Sequence, residues 1–362
     1  MKTLSQICVW FVLMLAWVAC APPPTPTAML QPTAMLQPTA TSQPTAVLQL
    51  IATPTLESMS PTEVSRWQPG QLEIVLMDVR HGDAQLIISP TGETLLIDAG
   101  DEPYPAIVAE KLTKILGKPE VDYFLASHYH VDHIGGLVSL FRDYGLVVRK
   151  AVLDRGGGPN AYDSSVYYNY YAYVNAPERT FKHVRLSAGD KIDLGPALKI
   201  DVLAVGDSDA HTNCGMTVQG KDDNDYSIVL WVTFGGLDYW TGGDLSGMDT
   251  LQYTNVESAC AKLVPRPADL FKADHHAISF NDNATLLAAV QPQVILISLD
   301  GVGDTSALMR MTKYGTIFAT NRIIALAEDK KTPIIINDSD DIIVTSRDGS
   351  EFVVEGAVFK SR

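Results

Sequence analysis

His128, His130, Asp132 and His133 fall within six consecutive positions of the run Ser127-His128-Tyr129-His130-Val131-Asp132-His133-Ile134-Gly135-Gly136. Neutral imidazole and carboxylate are the donor types that suit zinc, and less selectively manganese or iron. An apolar run, residues 121–126, comes just before them and reads as a buried strand. A strand that empties into a short glycine-ended turn can aim all four side chains at one small volume. Residue type and spacing together define a metal site.

Positioning that site falls to the segments around it. Residues 72–79 and 85–88 read as apolar strands flanking the polar turn Arg80-His81-Gly82-Asp83-Ala84. Arg80 and His81 are taken as structural. A second turn begins at Gly92, before the strand 94–97 and the sequence Asp98-Ala99-Gly100. Residues 104–116 form a helical stretch that leads into the strand feeding the histidines. Strands, helix, strand, then metal loop is the order of an α/β sandwich. Towards the C-terminus, residues 294–298 read as a strand and 306–313 as a short helix. Residues 334–336, 341–345 and 351–354 are expected to close the second sheet, with Asp348-Gly349 as a hairpin turn.

Composition is that of a globular protein, with 46% apolar and 19% charged residues. The formal net charge of −15 repels phosphate backbones, so no stable nucleic-acid complex is expected. Divalent cations would reverse that sign inside a cleft. Residues 1–20 carry Lys2, then the uncharged apolar run 7–19, which is the pattern of a secretory signal peptide. Trp17-Val18-Ala19-Cys20 is similar to a bacterial lipobox, making an extracytoplasmic, membrane-anchored lipoprotein the expectation and plain secretion the alternative. Residues 21–66 are rich in Pro and Thr, with Ala-Met-Leu-Gln-Pro-Thr at 28–33 repeated at 34–39. Such a segment favours extended polyproline conformation and reads as a tether of up to ~3 Å per residue. The folded domain is assigned to 67–362. Within it lie two cysteines, Cys214 and Cys260, which either pair or remain as buried thiols.

Asp78-Val79-x-x-Gly82-Asp83-Ala84, Leu96-Ile97-Asp98-Ala99-Gly100 and His128-x-His130-x-Asp132-His133-x-Gly135-Gly136 resemble the metallo-β-lactamase superfamily. Within it they most resemble the β-lactamase-like domain of ComEC-type competence proteins and their secreted relatives. Asn224-x-x-Ser227-Ile228-Val229-Leu230, Gly243-Asp244 and Leu270-Phe271-Lys272-Ala273-Asp274-His275-His276 extend the resemblance over nearly all of 70–360. The resemblance implies a four-layer αββα sandwich. It also implies zinc, two ions, with His128 and His130 on one, Asp132 and His133 on the other, and Asp244 bridging. One of His275 and His276 would complete the second ion and the other would face the substrate; both stand as candidate ligands, and Asp132 and His275 are taken as catalytic. A third histidine for the first ion is missing from the motifs, and His211 is the positional candidate; His183 reads as surface or packing.

In that family a hydroxide bridging two cations is the nucleophile, because metals lower the pKa of water towards ~7. The sequence contains no serine-centred nucleophile elbow or P-loop. The resemblance therefore implies a metal-dependent hydrolase, with a phosphodiester as the favoured substrate. A small or polymer-borne phosphoester, such as a choline phosphoester, fits the acidic balance better than nucleic acid. Two other readings stay open: hydrolysis of another ester or a lactam, and a degenerate domain that binds metal or ligand without turnover. Tyr162, Tyr167, Tyr168, Tyr170, Tyr171 and Tyr173 follow the glycine run 156–158. They read as a loop on the metal-bearing side that either packs the domain or stacks on substrate.

Overall fold

Leu72, Ile74 and Leu76 point to one side of the first strand and Val75 to the other, and all are buried. An apolar strand with both faces covered must lie inside a layered structure. The computed structural model describes residues 67–158, 164–298, 304–321, 334–336 and 340–362. The expected signal peptide and tether lie outside the described residues. Among those described, no helix is long and apolar enough to cross a membrane.

In chain order the first strands are β1 (Leu72–Leu76), β2 (Gln85–Ile88), β3 (Thr94–Ile97), β4 (Glu120–Leu125), β5 (Val147–Asp154) and β6 (Lys182–Arg185). Between them run the helices α1 (Pro105–Leu116), α2 (Val131–Ile134), α3 (Leu137–Asp143) and α4 (Ser164–Val174). Then come β7 (Lys191–Asp193), β8 (Lys199–Ala204) and a small ribbon of β9 (Thr212–Asn213) with β10 (Met216–Thr217). β11 (Val229–Phe234), β12 (Leu237–Thr241), β13 (Leu270–Lys272), β14 (Val294–Ile297), β15 (Thr316–Ala319) and β16 (Ile334–Ile336) follow. The helices of that half are α5 (Glu257–Cys260), α6 (Ala284–Val290) and α7 (Thr305–Met311). The chain finishes with β17 (Ile342–Ser346), β18 (Glu351–Val354) and β19 (Ala357–Lys360).

Two sheets result, ordered β19-β18-β17-β1-β2-β3-β4-β5-β6 and β16-β15-β14-β13-β12-β11-β8-β7. Three apolar cores separate four layers. The inner faces of both sheets share one core, including Ile74, Leu125, Leu230, Leu270 and Phe318. The outer face of the first sheet packs on α1 to α4 through Val108, Leu112, Leu137 and Tyr170. The outer face of the second packs on α5 to α7 through Cys260, Leu286, Leu287 and Leu308. This is the αββα sandwich expected from the resemblance.

Two expectations are corrected. Strands β17 and β18 join the first sheet, not the second: β17 pairs antiparallel with β1, from Leu72↔Ser346 to Leu76↔Ile342. Alternation announces a half-buried strand but not its neighbour. The tyrosine segment is a helix, α4, and not a loop. Its Tyr167 and Tyr170 are buried against Tyr129 of the histidine loop, with ring centroids at 4.8 and 5.8 Å, while Tyr168 and Tyr171 face solvent. Tyr162 lies outside the described residues. Cys214 and Cys260 form a disulfide with Cα atoms 5.1 Å apart, tying the turn of the β9–β10 ribbon to α5.

Candidate metal centre

β3 and β4 are parallel neighbours, as are β12, β13 and β14. Parallel strands end on the same edge, so the residues following each of them meet at one rim, where open α/β sheets place their ligands. Asp98 follows β3, Ser127 to His133 follow β4, Asp244 follows β12, His275 and His276 follow β13, and Ser298 follows β14. Both sheets therefore contribute to one centre.

Glycine makes the approach possible. Gly82 has φ +94°, and a Cβ there would lie 1.8 Å from the Asp132 carbonyl oxygen. The next amide, Asp83 N–H, donates to that same oxygen at 3.1 Å. A Cβ on Gly136 would meet the Ala99 carbonyl oxygen at 2.3 Å, so the histidine loop is clamped between the two earlier turns.

Nε2 of His128 and Nδ1 of His130 converge to 3.2 Å, as two ligands of one ion would. A second group is formed by Asp132, His133, Asp244 and His276, whose ligand atoms all lie within 4.8 Å of one another. Nε2 of His133 is 3.1 Å from Asp244 Oδ2, and Nε2 of His276 is 3.3 Å from Asp132 Oδ2 and 3.6 Å from Asp244 Oδ2. His133 Nε2 meets the Asp244 carboxylate, and Asp244 Oδ1 has Lys272 Nζ at 3.8 Å but no hydrogen bond, so both buried atoms have capacity for a cation. Two nitrogens and two carboxylates around one point match the donor set of a zinc-type ion, so the residues fit the metal that the resemblance implies.

Each ligand is held from behind. His133 Nδ1 pairs with Asp98 Oδ2 at 2.8 Å, and Asp98 is anchored in turn by Ser127 N–H and Oγ at 2.8 and 2.7 Å. His130 turns Nε2 towards Asp222 Oδ1 at 3.6 Å. His276 Nδ1 meets Ser298 Oγ at 3.1 Å, and Ser298 hydrogen-bonds Asp83, which is ion-paired with buried Lys272. Such partners set tautomer and ring orientation. Asp98, Asp222, Ser298 and the Asp83–Lys272 pair were not legible as site residues. Only Asp83 and Asp98, each at a turn in a recognisable motif, carried a signal that could have found them.

His275 is the member of the pair that turns aside. Its ring faces the Asn224 side-chain amide, with Nδ1 at 3.1 Å, and its Nε2 is 3.8 Å from Asp244 Oδ2. His211 is not brought to the centre: its exposed ring hydrogen-bonds the Tyr226 hydroxyl at 3.0 Å. The Asp207–Thr212 bridge closes a turn in which His211 takes φ +52°. His183 packs between Asp154 and Asn175 in the first sheet. His81, set aside as structural, pairs with Asp101 and lies 6.5 Å from the His276 ring.

The charge pattern follows from burial and neighbours. Burial alone would depress His133, but Asp244, Asp132 and Asp98 overcome it and hold the imidazole well above its ordinary range. His276 is raised against burial by Asp244 and Asp83. Burial would raise Asp132 and Asp244, yet His133 leads the imidazoles that keep both carboxylates well ionised. Burial takes His128 well below the usual imidazole value and His275 down to about 4, so both are neutral at pH 7.

A profile of the metallo-β-lactamase superfamily matches residues 77–299, well over half of the chain. The chain belongs to the metallo-β-lactamase superfamily. It is similar to ComE operon protein 3 of Bacillus subtilis (strain 168), at 22% identity over 242 residues that make up 62% of this chain. The match spans 28% of that protein's length. Among solved structures it is similar to the metallo-β-lactamase fold protein YhfI from Bacillus subtilis, at 12% identity and a TM-score of 0.43, over 75% of this chain and 98% of that one. A diphosphatase from the PhnP family is similar at 13% identity and a TM-score of 0.41, over 76% and 98%.

Proposed function

We propose that this chain is an extracytoplasmic, metal-dependent hydrolase of phosphodiesters, with zinc at the histidine and aspartate cluster. The observation that carries this reading is the convergence of Asp132, His133, Asp244 and His276 from two sheets, beside the His128–His130 pair. When bound, divalent cations acidify water and neutralise charge gathering on a phosphoryl oxygen. His128 and His130 would hold one ion and Asp132, His133, Asp244 and His276 the other, with Asp244 the residue that the resemblance implies would serve both.

The protein's own groups divide the remaining work. His275 is neutral at pH 7 and Asn224 Nδ2 lies 3.1 Å from its Nδ1, so its one N–H, on Nε2, can donate a hydrogen bond to substrate. Buried Lys272 keeps Asp83 ionised and so braces His276 through Ser298. Tyr253 and Phe280 approach the His275 ring at 6.2 and 6.0 Å and offer an apolar wall for a leaving group. A small or polymer-borne phosphoester suits the acidic chain better than nucleic acid.

Purified protein should contain close to two zinc ions and turn over bis(p-nitrophenyl) phosphate. Turnover should fall at least ~100-fold in His130→Ala. Absence of metal-dependent turnover across phosphodiester, phosphorylcholine and lactam substrates would favour a binding domain. A single ion per chain would point to a first site weakened by the displacement of His211. The lipid anchor is tested separately, by loss of membrane partition in Cys20→Ala.

A further inference from the structure

Behind the His275–His276 turn lies a second group of carboxylates. Glu257 of α5, Asp274 and Asp282 are all fully buried, and their ligand oxygens lie within 4.8 Å of one another. Glu257 accepts the Asp282 and Asn283 amides, both at 2.6 Å, and Asp282 Oδ1 accepts the Asp274 amide at 2.9 Å. The other oxygens are orphaned. Both carboxylate oxygens of Asp274, and Oδ2 of Asp282, have no hydrogen-bond partner, nor does Oδ1 of neighbouring Asn281.

Among the described residues no basic side chain forms an ion pair with the group, although Lys272 and Arg310 favour its charge from further away. Lys272 is committed to Asp83, and the Arg310 guanidinium is spent on the carbonyl oxygens of Ser279, Asn281 and Asp282. Ionised carboxylates cost several kcal/mol each when buried, so a group like this is either held neutral, as burial favours for all three acids, or held ionised by a bound metal. The donors are all oxygen, which excludes the soft-ligand metals and selects a hard divalent cation. Calcium accepts irregular carboxylate cages, whereas magnesium keeps several of its waters, and these three side chains are fully buried.

We propose that Glu257, Asp274 and Asp282 form a structural calcium site, separate from the histidine centre. Its place in the chain gives it a task. Asp274 immediately precedes His275, His276 and Ala277, whose φ angles are +48°, +53° and +61°. Three successive non-glycine residues in the left-handed region cost roughly 1–2 kcal/mol apiece and persist only when neighbours enforce them. A cation gripping Asp274 from one side and Asp282 from the other pins both ends of that turn.

The test uses the whole protein with its histidine centre saturated by buffered zinc. Elemental analysis should find one calcium per chain, and added calcium should raise Tm. Terbium should bind in its place, with luminescence sensitised by buried Trp240. Asp282→Asn and Asp274→Asn should weaken calcium binding by about 100-fold or more. Two results overturn the proposal: zinc-loaded wild type that neither holds calcium nor gains Tm from it, or variants that bind calcium as wild type does. Should a variant fail to fold, the calcium count and Tm response of the wild type decide alone. Zinc is counted independently, so failure here leaves the hydrolase reading untouched.

Discussion

Asp98 touches no substrate, yet it sets which nitrogen of His133 faces the centre. Its carboxylate holds Nδ1 at 2.8 Å, leaving Nε2 beside Asp244. Replacing Asp98 with Asn keeps the shape and removes the charge. Zinc affinity, measured by chelator competition, should fall about 10–100-fold, and the metal-free protein should lose Tm as well, because the Asp98–His133 pair is buried. Proton competition works at the same scale. His133 and His276 have raised pKa values without metal, so zinc must displace their protons, and affinity should climb as pH rises above the ordinary imidazole range. The sign for the metal-free fold is opposite. A raised imidazole pKa contributes stability that is complete below the unfolded value and lost as pH rises through the folded one. Metal-free protein should therefore lose Tm over the window in which zinc binding strengthens.

Elements explain what the sequence could and could not disclose. His128 to His133 share one strand end, and six adjacent residues carry their own pattern. Asp244 and the His275-His276 pair were readable because each sits in an ordered motif. Asp222 and Ser298 gain their roles only from which strands lie side by side, and no local pattern encodes that. His211 hydrogen-bonds Tyr226 from a residue with φ +52°, and neither that partner nor that φ is visible in residue type. Glycine at the loop junctions was visible, and its reason is steric. Gly136→Ala would drive a methyl group into the Ala99 carbonyl, so a loss of roughly 2–4 kcal/mol is expected in urea unfolding. Metal content should drop with it, because this contact seats the histidine loop.

Over the whole molecule, the candidate metal ligands come from both sheets, so a bound ion would join the two halves across the shared core. The Cys214–Cys260 disulfide adds a covalent tie across 46 residues in the second half. Its replacement by a pair of alanines should cost about 2–4 kcal/mol, read as a lower midpoint with the m-value checked for a changed unfolded state. Zinc content should survive, since neither cysteine lies in the cluster.

The pairing of β1 with β17 has a consequence for the order in which the protein can be built. Leu72 meets Ser346 only after almost all of the intervening chain exists. Until then β1 shows an unpaired edge and its sheet lacks three strands, a long-range closure that slows folding and invites association between nascent molecules. Translation stopped before residue 342 should thus leave aggregation-prone fragments rather than a shortened working domain, even though every metal ligand has already been made.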